Sequence, residues 1–187
     1  MAEKSKKGKK RWIKIVGPGE FKNIVLGESY VIDPNILLGK KLKLSLGSLT
    51  GALKRQYALI GFKVKEIKGA EAHAEVVSYE MVLAHTKRLV RAGRDKIDDS
   101  FVVESKDKVK ARIKPIGLTK NKAKNSILTR IRNLGREKIK EMFLKEDFNK
   151  ALDEIISGRL QRSLKQELGK TYPLGVYDIR KLEVLNR

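Results

Sequence analysis

The sequence predicts an α+β fold: a β-rich body of short, mostly antiparallel strands flanked by about three helices, behind a basic N-terminal arm that is disordered without a partner. Three observations predict it. Through the first half of the chain, apolar and polar residues alternate with period two between Gly, Pro, Asp and Asn punctuation. Between Ser126 and Leu168 the apolar spacing changes to the rhythm of helices. Residues 2–11 (AEKSKKGKKR) hold no apolar side chain beyond Ala2, so they cannot repay the entropy of ordering themselves alone. A length of 187 residues with 41% hydrophobic content fits a single domain over residues 12–187 behind an arm at residues 1–11.

Taken in order, Trp12–Val16 and Ile24–Leu26 read as strands, with Gly17-Pro18-Gly19 and Asp33-Pro34-Asn35 as turns. Leu42, Leu44 and Leu46 alternate with Lys41, Lys43 and Ser45, and Ile60, Phe62 and Val64 with Gly61, Lys63 and Lys65, so each strand has a core face and a wet face. Gly69 turns the second of these into a hairpin with Ala72–Tyr79. Glu80–Arg94 predicts a helix, on which Lys87, Arg88, Arg91 and Arg94 share an arc of roughly 120°. After Asp98-Asp99, Phe101–Ser105 pairs with a strand whose Val109, Ala111 and Ile113 alternate with Lys108, Lys110, Arg112 and Lys114. That strand has one apolar and one purely basic face.

Ser126 or Asn125 can cap a helix reaching about Lys145, with Ile127, Leu128, Ile131, Leu134, Ile139, Met142 and Phe143 inward. Arg130, Arg136 and Lys140 fall outside that arc. Arg132 lies at its margin and Lys138 inside it, which requires snorkelling or a bend near Gly135. Asp147 can cap another helix, in which Phe148, Leu152, Ile155, Ile156, Leu160, Leu164 and Leu168 keep helical spacing until Gly169. Pro173 ends it, and Val176–Leu185 predicts a last strand.

The net charge of +21 sits in three segments. Met1–Gly19 carries seven Lys/Arg against one acid, Lys87–Arg94 four against none, and Ser105–Lys145 fourteen against three; elsewhere eighteen basic residues face eighteen acidic ones. A single charge run is usually a solvated face. Three of them on a neutral body imply self-repulsion unless a polyanion supplies countercharge. The candidate contacts are Lys4, Lys6, Lys7, Lys9, Lys10 and Arg11 in the arm, then Lys87, Arg88, Arg91 and Arg94 on the helix face. Lys108, Lys110, Arg112 and Lys114 follow on the strand, Lys120, Lys122 and Lys124 in the next loop, and Arg130, Arg132, Arg136, Lys138 and Lys140 on the long helix. The loop Thr119–Asn125 places small polar donors and cations ahead of a helix N-terminus, which suits phosphate. Aromatics are only 6%, and no basic stretch interleaves them as a base-stacking groove does. Contacts to phosphate and sugar on a folded RNA therefore fit better than reading of single-stranded bases. Charge alone does not separate RNA from DNA.

Enzymatic signals are weak. With no cysteine there is no disulfide, thiolate metal site or thiol nucleophile, which is compatible with a reducing cytosol. No apolar run is long enough to cross a bilayer, and no h-region follows Lys4–Arg11. His73 and His85 lie in no metal-ligand spacing, and there is no GxxxxGKS/T loop or GxSxG elbow. Gly17-Pro18-Gly19 reads as a plain turn. Asp98-Asp99 can in principle hold a metal, but such a pair more often caps or turns the chain. The sequence calls for no cofactor and no small-molecule substrate.

Several stretches resemble the archaeal and eukaryotic S1e family of small-subunit ribosomal proteins. They are Arg11-Trp12 with Phe21-Lys22-Asn23-Ile24 and Leu26-Gly27; Leu38-Gly39-Lys40 to Leu46, with Leu49-Thr50-Gly51; Leu89-Val90-Arg91 through Lys96-Ile97-Asp98; Val103 to Ile113; and Tyr172-Pro173-Leu174 with Ile179-Arg180-Lys181 and Val184-Leu185. Their order and spacing are specific in combination. The resemblance implies a β-rich, barrel-like body flanked by helices on the platform of the small subunit, near the mRNA exit and the 3′ end of its rRNA. It implies no enzymatic activity, a cytoplasmic place in the ribosome, and as partners small-subunit rRNA, neighbouring ribosomal proteins and mRNA near the exit, with no membrane. Ile13 stands where an aromatic often follows the family's tryptophan, Ala52 where an acid often follows Leu-Thr-Gly, and Lys108 where a glycine usually follows Lys-Asp. The chain stops soon after the last strand, without the extension typical of eukaryotic members, so it looks archaeal. Two other readings stand beside this one: an RNA-processing nuclease using Asp98 and Asp99 with a divalent metal, and a freestanding DNA-compacting protein.

Overall fold

The computed structural model describes residues 9–18, 21, 24–52 and 55–186. They gather into two compact units, one up to Val77 and one from Ser78 onward. The class is α+β, with nine strands and five helices among the described residues.

In the first unit, β1 (Arg11–Val16) runs antiparallel to β2 (Val25–Val31) and parallel to the start of β5 (Glu71–Met81). Ile13 and Ile15 point into the core while Trp12 and Lys14 face outward, as period-two alternation demands. The Gly17 amide donates to the Ile24 carbonyl (2.9 Å) and the Phe21 amide to the Pro18 carbonyl (2.9 Å), closing the turn; Gly19, Glu20, Lys22 and Asn23 lie outside the described residues. Asp33 accepts from the Asn35 amide (2.9 Å) to start a single 3₁₀ turn over Pro34–Leu37.

The alternation through Leu46 stops one residue early. β3 (Lys41–Ser45) ends where Ser45 accepts from the Gly47 amide (3.2 Å), and this cap starts a one-turn helix, α1 (Leu46–Thr50), closed by Gly51 at φ +70°. Leu46 is still buried, but as the first helical residue. β3 pairs antiparallel with β4 (Ala58–Lys68), whose Ile60, Phe62 and Val64 fill the core as expected, with the Phe21 and Phe62 rings edge to face at 5.6 Å. Gly69, at φ +63°, makes the predicted hairpin into β5.

In the second unit β8 (Lys110–Thr119) is the organising strand. β9 (Leu174–Asn186) lies along its whole length, and on the other side β7 (Phe101–Glu104) and β6 (Lys96–Asp98) follow one another. Pro115 falls in the gap between the residues paired to β7 and those paired to β6, at a register shift against β9, so its missing N–H interrupts no regular ladder. From Pro115 to Thr119 every residue is buried, which erases alternation and explains why the sequence shows this strand only as far as its basic half. The long strands β4, β5, β8 and β9, of 11, 11, 10 and 13 residues, replace the short ones predicted.

Three helix predictions change. Glu80 and Met81 belong to β5, because Ser78–Glu80 pairs with Lys181–Glu183 of β9; the helix is only α2 (Leu83–Leu89). Val90 is extended and Gly93, at φ +79°, turns the chain, so Arg91 and Arg94 lie beyond the helix. α3 (Asn125–Lys145) begins after Lys124, with neither Asn125 nor Ser126 as its cap. The single helix expected from Asp147 to Gly169 is two, α4 (Phe148–Ser157) and α5 (Arg159–Gly169), broken at Gly158, whose φ of +72° ends α4. Asp147 makes no capping hydrogen bond; Asp107 instead accepts from the Phe148 amide (3.2 Å). Ile131, Ile139 and Phe143 of α3 and Leu160, Leu164 and Leu168 of α5 are buried. Among the described residues no helix is long and apolar enough to cross a membrane.

Lys108, in the turn before β8, has φ +60°, the one non-glycine residue with positive φ among the described residues. A Cβ in the left-handed region costs about 1–2 kcal/mol, of which glycine's extra unfolded-state entropy returns about 0.4–1. Lys108→Gly is therefore expected to stabilise the protein by about 0.5–1 kcal/mol, seen as a higher urea midpoint at unchanged m-value.

Candidate nucleic-acid interface

The second unit brings two of the basic segments together, and Asp95 is the residue that does it. Its amide donates to Thr119 Oγ1 (2.9 Å), its carbonyl accepts from the Thr119 amide (3.1 Å), and its carboxylate accepts from the Ala123 amide (2.7 Å). Asp95 follows Arg94 directly, so the segment after α2 is stitched to the loop before α3 across 24 to 28 residues of sequence. A Cβ placed on Gly175 would lie 3.6 Å from the Leu118 and Thr119 carbonyls and 3.7 Å from Arg94 Nη1, which sets that guanidinium beside the end of β8.

The loop itself is held from three sides. Besides Asp95, the Lys120 amide donates to the Pro173 carbonyl (3.0 Å) and the Tyr172 hydroxyl to the Lys122 carbonyl (2.9 Å). Backbone is fixed while the Lys120, Lys122 and Lys124 side chains stay exposed. Lys87, Arg88, Arg91 and Arg94 are exposed too, but only the first two sit on α2, in its last turn, so the four-cation helix face is not formed. The shared surface is made by loops.

The strand face is less purely basic than its own sequence. Lys110 and Arg112 are exposed and Lys114 half-buried, yet Glu104 of β7 is paired with Lys110 and Glu183 of β9 with Arg112. The Lys181 ammonium (2.9 Å) holds the Glu183 carboxyl below its ordinary value; burial opposes this and the charges of Arg112 and Lys114 add to it. Reading one strand alone hides the acids its neighbours contribute.

The five candidate cations on α3 divide. Arg130 and Lys140 are exposed and Arg132 is half-buried. Lys138 is exposed and lies near Glu141 (4.0 Å) and Glu167 (3.7 Å). Arg136 is engaged within the chain: its Nε and Nη2 donate to both oxygens of Asp99 (3.0 and 2.8 Å), and its guanidinium lies 5.6 Å from the Phe101 ring centroid. Burial pushes the Asp99 carboxyl up, but the Arg136 hydrogen bond, the Ser100 amide and the charges of Arg136 and Arg132 together hold it below the usual value. Asp98 likewise accepts from Lys96 and Arg180, each at 3.2 Å. Both carboxylates of the Asp98-Asp99 pair are thus engaged by cations.

In the first unit Lys9, Lys10 and Arg11 are exposed as they lead into β1. Lys4, Lys6 and Lys7 lie outside the described residues.

Comparison with known proteins decides the family. A model of the ribosomal S3Ae family matches residues 2–187. The chain belongs to the ribosomal S3Ae family. Its relatives include the small ribosomal subunit protein eS1 of Methanothrix thermoacetophila, 30% identical over 94% of this chain and 83% of that protein. The eS1 proteins of Nanoarchaeum equitans (30% identical, 92% of this chain, 87% of that protein) and Methanothermobacter thermautotrophicus (26%, 94% and 90%) are similar in extent. All three are archaeal proteins.

The S3Ae family is one of ribosomal proteins and not of enzymes. The sequence reading named Arg94 and the loop lysines Lys120, Lys122 and Lys124 but missed what fastens their backbones together. Asp95 carried no signal as a lone acid beside Arg94, because its partners Thr119 and Ala123 are remote in sequence. It also missed an exposed aromatic pair, Trp12 and Tyr30, which cross-strand register alone brings together.

Proposed function

We propose that this chain is a structural protein of the small ribosomal subunit, working in the cytoplasm within the ribosome, and that it binds rRNA phosphates through the loop surface around Asp95. Membership in the S3Ae family and the naming of its relatives as small-subunit proteins support the subunit. The observation that carries the binding reading is the stitching of Arg94 to the rigid Lys120–Lys124 loop by Asp95. Phosphate binding gains most where cations and amides are pre-positioned, since little side-chain or backbone order is then lost on contact. α3 starts at that loop without a side-chain cap, so its first-turn N–H groups and dipole add to the same field. Within the second unit Lys110, Arg112, Lys114 and Arg130 add further cations, the first unit carries Lys9, Lys10 and Arg11 as exposed cations of its own, and the reading extends to the arm lysines Lys4, Lys6 and Lys7. Neighbouring ribosomal proteins are the other partners. The platform near the mRNA exit is the position that the resemblance implies, with mRNA as a further contact there.

Sedimentation of tagged chain from lysate tests this. Co-migration with the small subunit at moderate salt, lost after ribonuclease treatment, is the expected result. A pool that stays free of particles before ribonuclease, or that binds duplex DNA as tightly as rRNA, overturns it.

A further inference from the structure

We propose that Trp12 and Tyr30 form a stacking platform for the unpaired bases of single-stranded RNA. The proposal deepens the RNA-binding reading above, on which it rests, by adding a contact to bases on a different part of the chain. Trp12 is 63% exposed and Tyr30 51% exposed, and they stand directly opposite one another across β1 and β2. Their ring centroids are 4.9 Å apart with planes inclined by 36°. Neither ring serves the core, because Ile13 and Ile15 fill the inner face of β1. Two large aromatic side chains left in water side by side are the kind of exposed apolar surface that marks a binding face.

The charge around the pair selects the occupant. The Lys10 ammonium lies 5.7 Å from the centroid of the Tyr30 ring, and Lys14 follows Trp12 on the same strand face. Lys9 and Arg11 are exposed at the start of the same strand, while Lys14 has an acid in register on each side, Glu28 of β2 and Glu71 of β5. An apolar protein surface docking on the rings would have to desolvate the Lys10 ammonium held over Tyr30 without supplying it a countercharge. A single-stranded polynucleotide satisfies both parts at once, with base faces on the rings and phosphates on the cations. Duplex RNA does not, since its base faces are already stacked.

Trp12 is the only tryptophan of the chain, so its fluorescence reports on this face directly. The test titrates the full chain with oligoadenylate of about 10 nucleotides, within the span of one stacking surface, and with an abasic strand of equal length. Quenching by oligoadenylate and not by the abasic strand is expected. Trp12→Ala and Tyr30→Ala, followed by anisotropy of a labelled strand, should each weaken binding about 5- to 100-fold, with far-UV circular dichroism unchanged because both residues are exposed. Equal response to the abasic strand, or unaltered affinity in both variants, overturns the proposal in favour of phosphate contacts alone. If no strand quenches while the chain still sediments with the small subunit, the pair belongs to a protein neighbour and only the platform fails. Base-dependent quenching without ribonuclease-sensitive co-sedimentation leaves the platform standing and removes the ribosomal reading.

Discussion

Reversing Arg94, Lys120 and Lys122 together to glutamate should lower the log–log salt slope of rRNA binding by about 2–3, three contacts at about 0.7–0.9 each. The three side chains are exposed, and the backbone that carries them is held by Asp95, Pro173 and Tyr172, none of which the substitutions touch. The fold should therefore survive, and the loss should appear as a binding effect alone. Filter binding or anisotropy between about 50 and 200 mM salt measures it. Because the contacts are to phosphate, the loss should be similar for different rRNA fragments of one shape. Arg136→Glu is the contrasting control: it breaks the paired contact to Asp99 and sets two carboxylates face to face, so its effect should be on stability. An unchanged slope in the triple variant would falsify the placement of the interface at this loop.

Gly135→Ala should destabilise the protein by about 1–2 kcal/mol, although alanine is the better helix former by about 0.8–1 kcal/mol. A Cβ at residue 135 would lie 2.5 Å from the Tyr177 hydroxyl oxygen and 3.5 Å from Leu168 Cδ1. Tyr177 cannot step aside, since it is 5% exposed and the far side of its ring abuts Gly117, where a Cβ would meet Cδ2 at 3.1 Å. The ring is a wedge between α3 and the β8–β9 ladder that only two glycines admit. Burial, then the nearby Asp99 charge, pushes its phenol well above the ordinary range, so the hydroxyl stays neutral across the working pH range. At about 2–4 °C per kcal/mol for a chain of this size, the thermal midpoint should fall by roughly 2–8 °C. Adding Tyr177→Phe removes the clashing oxygen, so the double variant should recover most of the loss, a coupling that a general effect of glycine on helix propensity would not produce. Additive losses would show that the wedge is not the cause.

Glycine 135 also shows where sequence reasoning stops. The helical spacing of α3 and its inward Ile131, Ile139 and Phe143 are plain from period alone, and the awkward cations Arg132 and Lys138 suggest a bend near Gly135. In the fold the glycine instead admits Tyr177 from β9, and Lys138 stays in solvent beside Glu141 and Glu167. Arg136 looked like any other outward arginine because Asp99 is 37 residues away. The helix over residues 80–94 was misread for a related reason. Tyr79 and Met81 bury one strand face while β9 takes up the backbone at Ser78–Glu80, and that pairing has no trace in the local pattern.

The chain's own residues settle its α+β class, the hairpin at Gly69, the long helix and final strand, the concentration of charge, and a family resemblance spread over nearly its whole length. Each of these follows from near neighbours, through two-residue and 3.6-residue periodicity or turn chemistry. Tertiary structure alone decides which cations are free for a polyanion. Asp99 engages Arg136, Glu104 and Glu183 offset the β8 face, and Asp95 fastens the segment after Arg94 to the Lys120–Lys124 loop. It also decides that Trp12 meets Tyr30. The reason is common to all of these: an ion pair, a stitched loop and a ring pair depend on distance in space, and hydrogen-bond and Coulomb partners separated by tens of residues leave no local mark on the sequence.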